Sequence, residues 1–96
     1  MSILVHLEVN AKLESISTVK EILARIFPDT RAYDGCIDIT AYLEDNEHTF
    51  LFIENWESKE HYARYLAWRE ESGSLAELGE HLQGPPVIRY FENVDA

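Results

Sequence analysis

Residues 3–9, ILVHLEV, set Ile3, Val5, Leu7 and Val9 on one side of an extended chain and Leu4, His6 and Glu8 on the other, the two-residue period of a strand. From Asn10, read as an N-cap, the spacing lengthens: Leu13, Ile16, Val19, Ile22, Leu23 and Ile26 recur as on one face of a helix. The pattern predicts about four turns, ended by Phe27-Pro28. After the turn-forming DTRAYDG, the segment CIDITAYL alternates again, and Asp45-Asn46 reverses the chain into HTFLFIENW, predicting a β-hairpin. Its second strand is apolar on both faces, Phe50 and Phe52 against Leu51 and Ile53. Ser58 can cap the helix that follows, which carries Tyr62, Tyr65 and Trp68. Gly73-Ser74 breaks that helix, and Ser74 with Glu77 has the spacing of a capping box for a short third helix over Leu75, Leu78 and Leu82. Beyond Gly84-Pro85-Pro86, VIRYFENV alternates Val87, Arg89, Phe91 and Asn93 with Ile88, Tyr90, Glu92 and Val94, a last strand.

The order β-α-β-β-α-β, with one added helix before the last strand, is that of an α+β, ferredoxin-like split βαβ fold with a four-stranded antiparallel sheet. Helices there cover one face of the sheet. Strands apolar on both faces leave the other face in need of a cover, which a second copy stacked sheet to sheet would supply. A homodimer is therefore expected.

Composition sharpens this picture. A chain of 96 residues, 46% hydrophobic, has material for one domain, 1–96, with a modest core that gains from a partner subunit. Eighteen acidic against eight basic residues give a net charge of -10, which repels phosphate backbones and anionic lipid, so neither nucleic acid nor membrane is an expected partner. Cys36 is the only cysteine and excludes an internal disulfide; in its apolar run it reads as a small core residue. The start of the chain has no basic leader and no apolar run approaches spanning length, so a soluble cytoplasmic protein is expected.

The run YDGCIDITAYLEDNEHTFLFIENWESKEHYARYL, with a Gly before the second strand and W-E-S-x-x-x-Y after the third, resembles the antibiotic biosynthesis monooxygenase superfamily. That resemblance implies a dimeric α+β barrel. Some members oxidise quinols or polycyclic phenols with dioxygen and no cofactor, others bind haem, and others isomerise small metabolites. In the polyketide-tailoring members the motif's Trp and Tyr shape the pocket and handle protons; they fall on Trp56 and Tyr62, the catalytic residues the resemblance implies. Those members' third-helix arginine falls on Gly79, their third-strand asparagine on Phe52, and their second-strand histidine on Tyr42. For haem, His61 and His81 are the available helix histidines, without the accompanying Asn and Trp.

Read from the residues alone, Trp68, His61, Tyr65, Arg69, Tyr62 and Leu66 share one face of the second long helix. That face is core or the wall of a ligand cavity, with Tyr and Trp bringing polar tips that need partners. Because this helix starts directly after the third strand, Trp56 and Tyr62 form a corner, closed by Tyr65, with Tyr42, His61 and Arg89 as polar substrate contacts. Glu54 shares the Trp56 face; buried, it either titrates high or pairs with Arg89. His61, beside the positive helix end, is a neutral base candidate. His6, His48, His61 and His81 are dispersed, without metal-ligand spacing, and no phosphate loop, GxGxxG, nucleophile elbow or CxxC occurs. No metal, flavin, nicotinamide or other cofactor is expected. The reading is a cofactor-independent monooxygenase of a small quinol or phenolic compound, a small aromatic partner whose own electrons reduce oxygen. The alternatives are a noncatalytic ligand-binding or stress-associated dimer, and an isomerase of a small oxygenated metabolite.

Overall fold

The computed structural model describes residues 2–96. Strand β1 (Ile3–Asn10) leads through a 3-10 turn (Leu13–Ser15) into helix α1 (Ile16–Ala32). The hairpin β2 (Cys36–Leu43) and β3 (Thr49–Trp56) follows, then α2 (Lys59–Ser72), α3 (Ser74–Gly79) and β4 (Val87–Phe91). One antiparallel sheet has the order β2-β3-β1-β4, the α+β, ferredoxin-like arrangement.

Register decides which face each side chain takes. Glu54 lies opposite Val5, and Val5 opposite Tyr90; Phe52 lies opposite Leu7, and Leu7 opposite Ile88. These residues, with Phe50, Trp56 and Val9, form the face under the helices. The other face runs in rows Tyr42-Leu51-Glu8-Val87 and Thr40-Ile53-His6-Arg89. Of the apolar rows anticipated for the uncovered face, it is therefore Leu51 and Ile53, not Phe50 and Phe52, that point away from the helices.

Two apolar clusters lie beneath the helices. The larger gathers Val9, Ile22, Phe27, Phe50, Phe52, Leu78 and others, with Phe27 and Phe52 edge to face at 5.4 Å. The smaller holds Val5, Trp56, Tyr62 and Tyr65. On β3, Glu54 stands between Phe52 of the first and Trp56 of the second.

Three boundaries differ from those the pattern suggests. Asn10 ends β1, accepting a hydrogen bond from Thr49 Oγ1 (2.6 Å), and caps no helix. Helix α1 runs through Pro28 to Ala32. Pro28 removes one ladder bond, but Phe27 and Thr30 are buried on the sheet side of the same turn, and Thr30 Oγ1 is held by Tyr65 (2.7 Å) and Arg69 (2.9 Å) from α2. Tertiary contacts outweigh the local break. The Ser74–Glu77 capping box is not made either: Ser74 Oγ bonds Ser72 Oγ, and Glu77 pairs with Arg25 of α1.

Candidate functional site

The third strand delivers a carboxyl to an apolar interior. Glu54 is 2% exposed, and among the described residues the one hydrogen bond to its carboxyl comes from Trp56 Nε1, which donates to Oε1 at 2.9 Å. Burial pushes its pKa up to about 7, against the opposing pull of the Trp56 bond. The anticipated Glu54–Arg89 pair is excluded by register, since Arg89 lies opposite His6 on the far face of the sheet. Among the described residues no Lys or Arg pairs with Glu54.

Helix α2 closes over this strand because Ser58, its N-cap, accepts from the His61 backbone N–H at 3.1 Å immediately beyond Trp56. Tyr62, Tyr65, Leu66 and Arg69 then recur at i, i+3, i+4 and i+7 and face the sheet. The Trp56 ring packs on Tyr62 (centroids 5.4 Å) and on Tyr65 (4.9 Å). The two tyrosines differ in their polar ends. Tyr65 Oη meets Thr30 Oγ1 at 2.7 Å and accepts from Arg69 Nε at 2.9 Å, while Arg69 also donates to the Ile26 carbonyl at 2.7 Å. That hydroxyl fastens α2 to the end of α1. Burial raises the Tyr65 pKa while these two hydrogen bonds hold it down.

Tyr62 Oη, by contrast, is buried with no hydrogen-bond partner among the described residues. Burial, reinforced by the charge of Glu54, pushes its pKa far above that of an ordinary phenol. The group keeps its proton at every physiological pH. A buried donor without an acceptor costs about 1–3 kcal/mol, which a ligand's oxygen would recover.

An apolar cavity of about 560 Å³ adjoins this cluster, bounded by Leu7 and Ile88 of the sheet, Leu66 of α2, Leu75 and Leu78 of α3, and Pro86. Tyr62 is one helical turn before Leu66, and Tyr90 is two residues after Ile88 on the same sheet face. Their rings meet edge to face at 6.0 Å. The Tyr62–Tyr90 pair thus lies next along the same helix and strand to the wall residues Leu66 and Ile88. The volume lies within the range of small-molecule sites, roughly 300–1,000 Å³.

The structure brings Trp56, Tyr62 and Tyr65 together, at 0%, 1% and 7% exposure. It does not bring the other three to them. Tyr42 and Arg89 are on the opposite sheet face, because each pairs with residues of the Leu51 and Ile53 rows. His61 turns outward: its Nδ1 meets Ser58 Oγ at 2.6 Å, and its ring covers Gly35, whose φ of +92° and lack of a side chain leave room for it. Sequence reasoning missed Tyr90, which alternation with Arg89 made available but which only the β1–β4 register places beside Tyr62. Among the described residues no three His, Cys, Asp or Glu side chains gather as metal ligands. No helix of the described residues is long and apolar enough to cross a membrane.

The sequence profile of antibiotic biosynthesis monooxygenases matches residues 2–72, from β1 through the Trp56–Tyr62 corner to the end of α2. The chain belongs to this family. No curated protein matches it in sequence. Solved structures match the whole fold of this family member at low identity. Rv0793 of Mycobacterium tuberculosis superposes with a TM-score of 0.87 at 19% identity, covering 100% of this chain and 98% of its own. A conserved protein of Methanosarcina mazei gives 0.89 at 18%, covering 98% and 94%. A point variant of SnoaB, a cofactor-independent oxygenase of Streptomyces nogalater, gives 0.83 at 12%, covering 99% and 95%. At such identities the likeness establishes the fold.

Proposed function

We propose that this chain is a cofactor-independent monooxygenase of a small quinol or other phenolic compound, working as a homodimer. The observation that carries the reading is the unpartnered Tyr62 hydroxyl, buried beside Trp56 one helical turn from Leu66, which lines an apolar cavity. A phenolic ligand suits this pairing: its rings would fill the apolar space, and its oxygen would accept from Tyr62 once that hydroxyl is uncovered. Family membership and the resemblance to an oxygenase fold support the reaction class.

The chemistry needs no redox group from the protein. An ionised hydroquinone is electron-rich enough to reduce dioxygen itself. One oxygen atom becomes a new carbonyl in place of two substrate hydrogens, and the other leaves with those hydrogens as water, all the electrons coming from the substrate. The protein's part is to bind the phenolate, keep bulk water from the reduced-oxygen intermediate and return a proton. Tyr62, held protonated, suits the last task, and Trp56 supplies the wall and fixes Glu54.

The dimer would bury the uncovered sheet face. Tyr42, Val87 and Phe91 there are 54%, 51% and 40% exposed, beside half-buried Leu51 and Ile53. Stacking two such faces would remove these apolar side chains from water, with Glu8, His6 and Arg89 among them.

Close packing of Trp56, Tyr62 and Tyr65 favours a second reading, ligand binding without turnover, since the rings leave little room between them. Tyr62→Phe separates the two. On a substrate that the parent oxidises, loss of the hydroxyl should slow oxygen uptake by roughly 10²-fold, the usual contribution of a general acid. Unchanged uptake would reject Tyr62 as the proton donor.

A further inference from the structure

We propose that the groove between α1 and the free edge of β2 binds a small aromatic carboxylate, held by Arg31 over an apolar floor. The site lies apart from the one above: its cavity, about 390 Å³, shares no lining residue with the larger one.

The sequence explains its shape. Lys20, Leu23, Ala24, Phe27 and Arg31 recur along one stripe of α1 at i, i+3, i+4, i+7 and i+11 and form one wall. Across from them, Ala41 and Leu43 of β2 share the helix side of the sheet with Phe50 of β3. The two alanines, Ala24 and Ala41, leave open a space that larger side chains would fill. β2 is an edge strand. Thr40 and Tyr42 belong to the other sheet face, yet they line the groove along with Ala41 and Leu43, so the open edge of the strand is itself part of the wall. Arg31 Nη2 donates to the Ile39 carbonyl at 3.3 Å, so Ile39 directs its backbone polar groups away from β3. In the alternation of an antiparallel ladder Ala41 and Leu43 do the same, and their N–H groups point to that open edge.

The charge here is the reverse of the protein's average. Acidic residues outnumber basic ones 18 to 8 along the chain, yet this lining holds two cations and no carboxylate. Among the described residues neither Lys20 nor Arg31 is in an ion pair. Arg31 is also held in place. Its guanidinium lies 5.6 Å from the centre of the Phe27 ring, and the bond to Ile39 uses one of its five N–H donors. The donors left over suit a carboxylate, whose two oxygens the planar fork can meet in parallel. Leu23, Phe27 and Phe50 then offer apolar surface to the ligand's ring. Lys20, about 16 Å along the helix from Arg31 at 1.5 Å per residue, closes the far end, its stem extending the apolar wall and its ammonium adding attraction for an anion. A volume near the low end of small-molecule sites, roughly 300–1,000 Å³, accommodates one ring or two fused rings.

Titration of the full chain with 2-naphthoate, against 2-naphthalenemethanol as its uncharged counterpart, tests the assignment, with backbone amide NMR shifts locating the ligand. The parent should bind the carboxylate about tenfold more tightly than the alcohol, as one added charge-assisted pair provides. The largest shifts should fall at Ala41 and Leu43. Arg31→Gln should remove the preference for the carboxylate, and Arg31→Lys, which keeps the charge without the fork, should retain part of it. Equal affinity of the parent for the two ligands, an undiminished preference in Arg31→Gln, or no binding of naphthoate at millimolar concentration would overturn the proposal. So would shifts centred on Leu66, Leu75 and Ile88, which would put the carboxylate in the larger cavity.

Discussion

Replacing Glu54 by Gln should make the protein more stable at alkaline pH than at acid pH relative to its parent, and the size of the effect follows from the burial of one carboxyl. The folded-state pKa is raised from 4.5 to about 7, chiefly by burial. A group shifted in this direction favours folding in its protonated form. Its contribution is fully present below about pH 4.5 and is lost as pH rises through about 7. At about 1.4 kcal/mol for each tenfold change, the parent should lose roughly 3 kcal/mol of stability from this group across that window, and nothing further above it. Gln cannot ionise and escapes the loss. Urea unfolding of both proteins at about pH 5 and about pH 8.5 gives a double difference in which the other acidic residues cancel. The expected value is 2–3 kcal/mol in favour of the variant at the higher pH, within the order-of-magnitude reach of such linkage. Equal effects of the substitution at both pH values would show that Glu54 ionises normally, and the reasoning from its isolation would fall.

Other substitutions probe the frame around the site. Gly35→Ala introduces a methyl group into the His61 ring and a side chain at φ +92°, so it should cost about 2 kcal/mol or more in thermal or urea unfolding. Tyr65→Phe leaves Thr30 Oγ1 and Arg69 Nε without their shared partner and should cost roughly 1–3 kcal/mol. Ile53→Asp on the uncovered sheet face should turn a dimer into monomer or aggregate by light scattering; a parent of one-chain mass at micromolar concentration would refute the dimer itself. The Cys36 thiol, raised to about 11, should alkylate more slowly at neutral pH than a free cysteine.

Local periodicity carried the fold a long way. The alternation of ILVHLEV and TFLFIENW sorted Val5 from His6 and Phe52 from Ile53 correctly, and of the six residues placed on one arc of α2, Tyr62, Tyr65 and Arg69 are buried while Leu66, Trp68 and His61 are half-buried. What periodicity cannot supply is the phase of one strand against another. Whether Arg89 or Tyr90 faces Glu54 depends on the β1–β4 register, and a slip of one residue would exchange them. The same holds for Tyr42. Long-range hydrogen bonds were equally silent: nothing near Pro28 in the sequence announces that Tyr65 and Arg69 will hold Thr30 and carry the helix past it. His61 illustrates a third limit. The helical wheel put it on one arc with Tyr62 and Tyr65, yet first-turn chemistry with Ser58 and the space above Gly35 turned its ring outward.

The most direct test of the proposed function is oxygen uptake by the metal-free, flavin-free protein over a panel of hydroquinones and small phenols, compared with Tyr62→Phe at equal concentration. The account predicts protein-dependent uptake on at least one neutral substrate sized for a cavity of about 560 Å³, with the oxidised product formed in step with oxygen consumed and the rate reduced about 10²-fold in the variant. Uptake no faster than the uncatalysed oxidation across the panel, by a protein that nonetheless binds these phenols, would contradict catalysis and leave a binding protein.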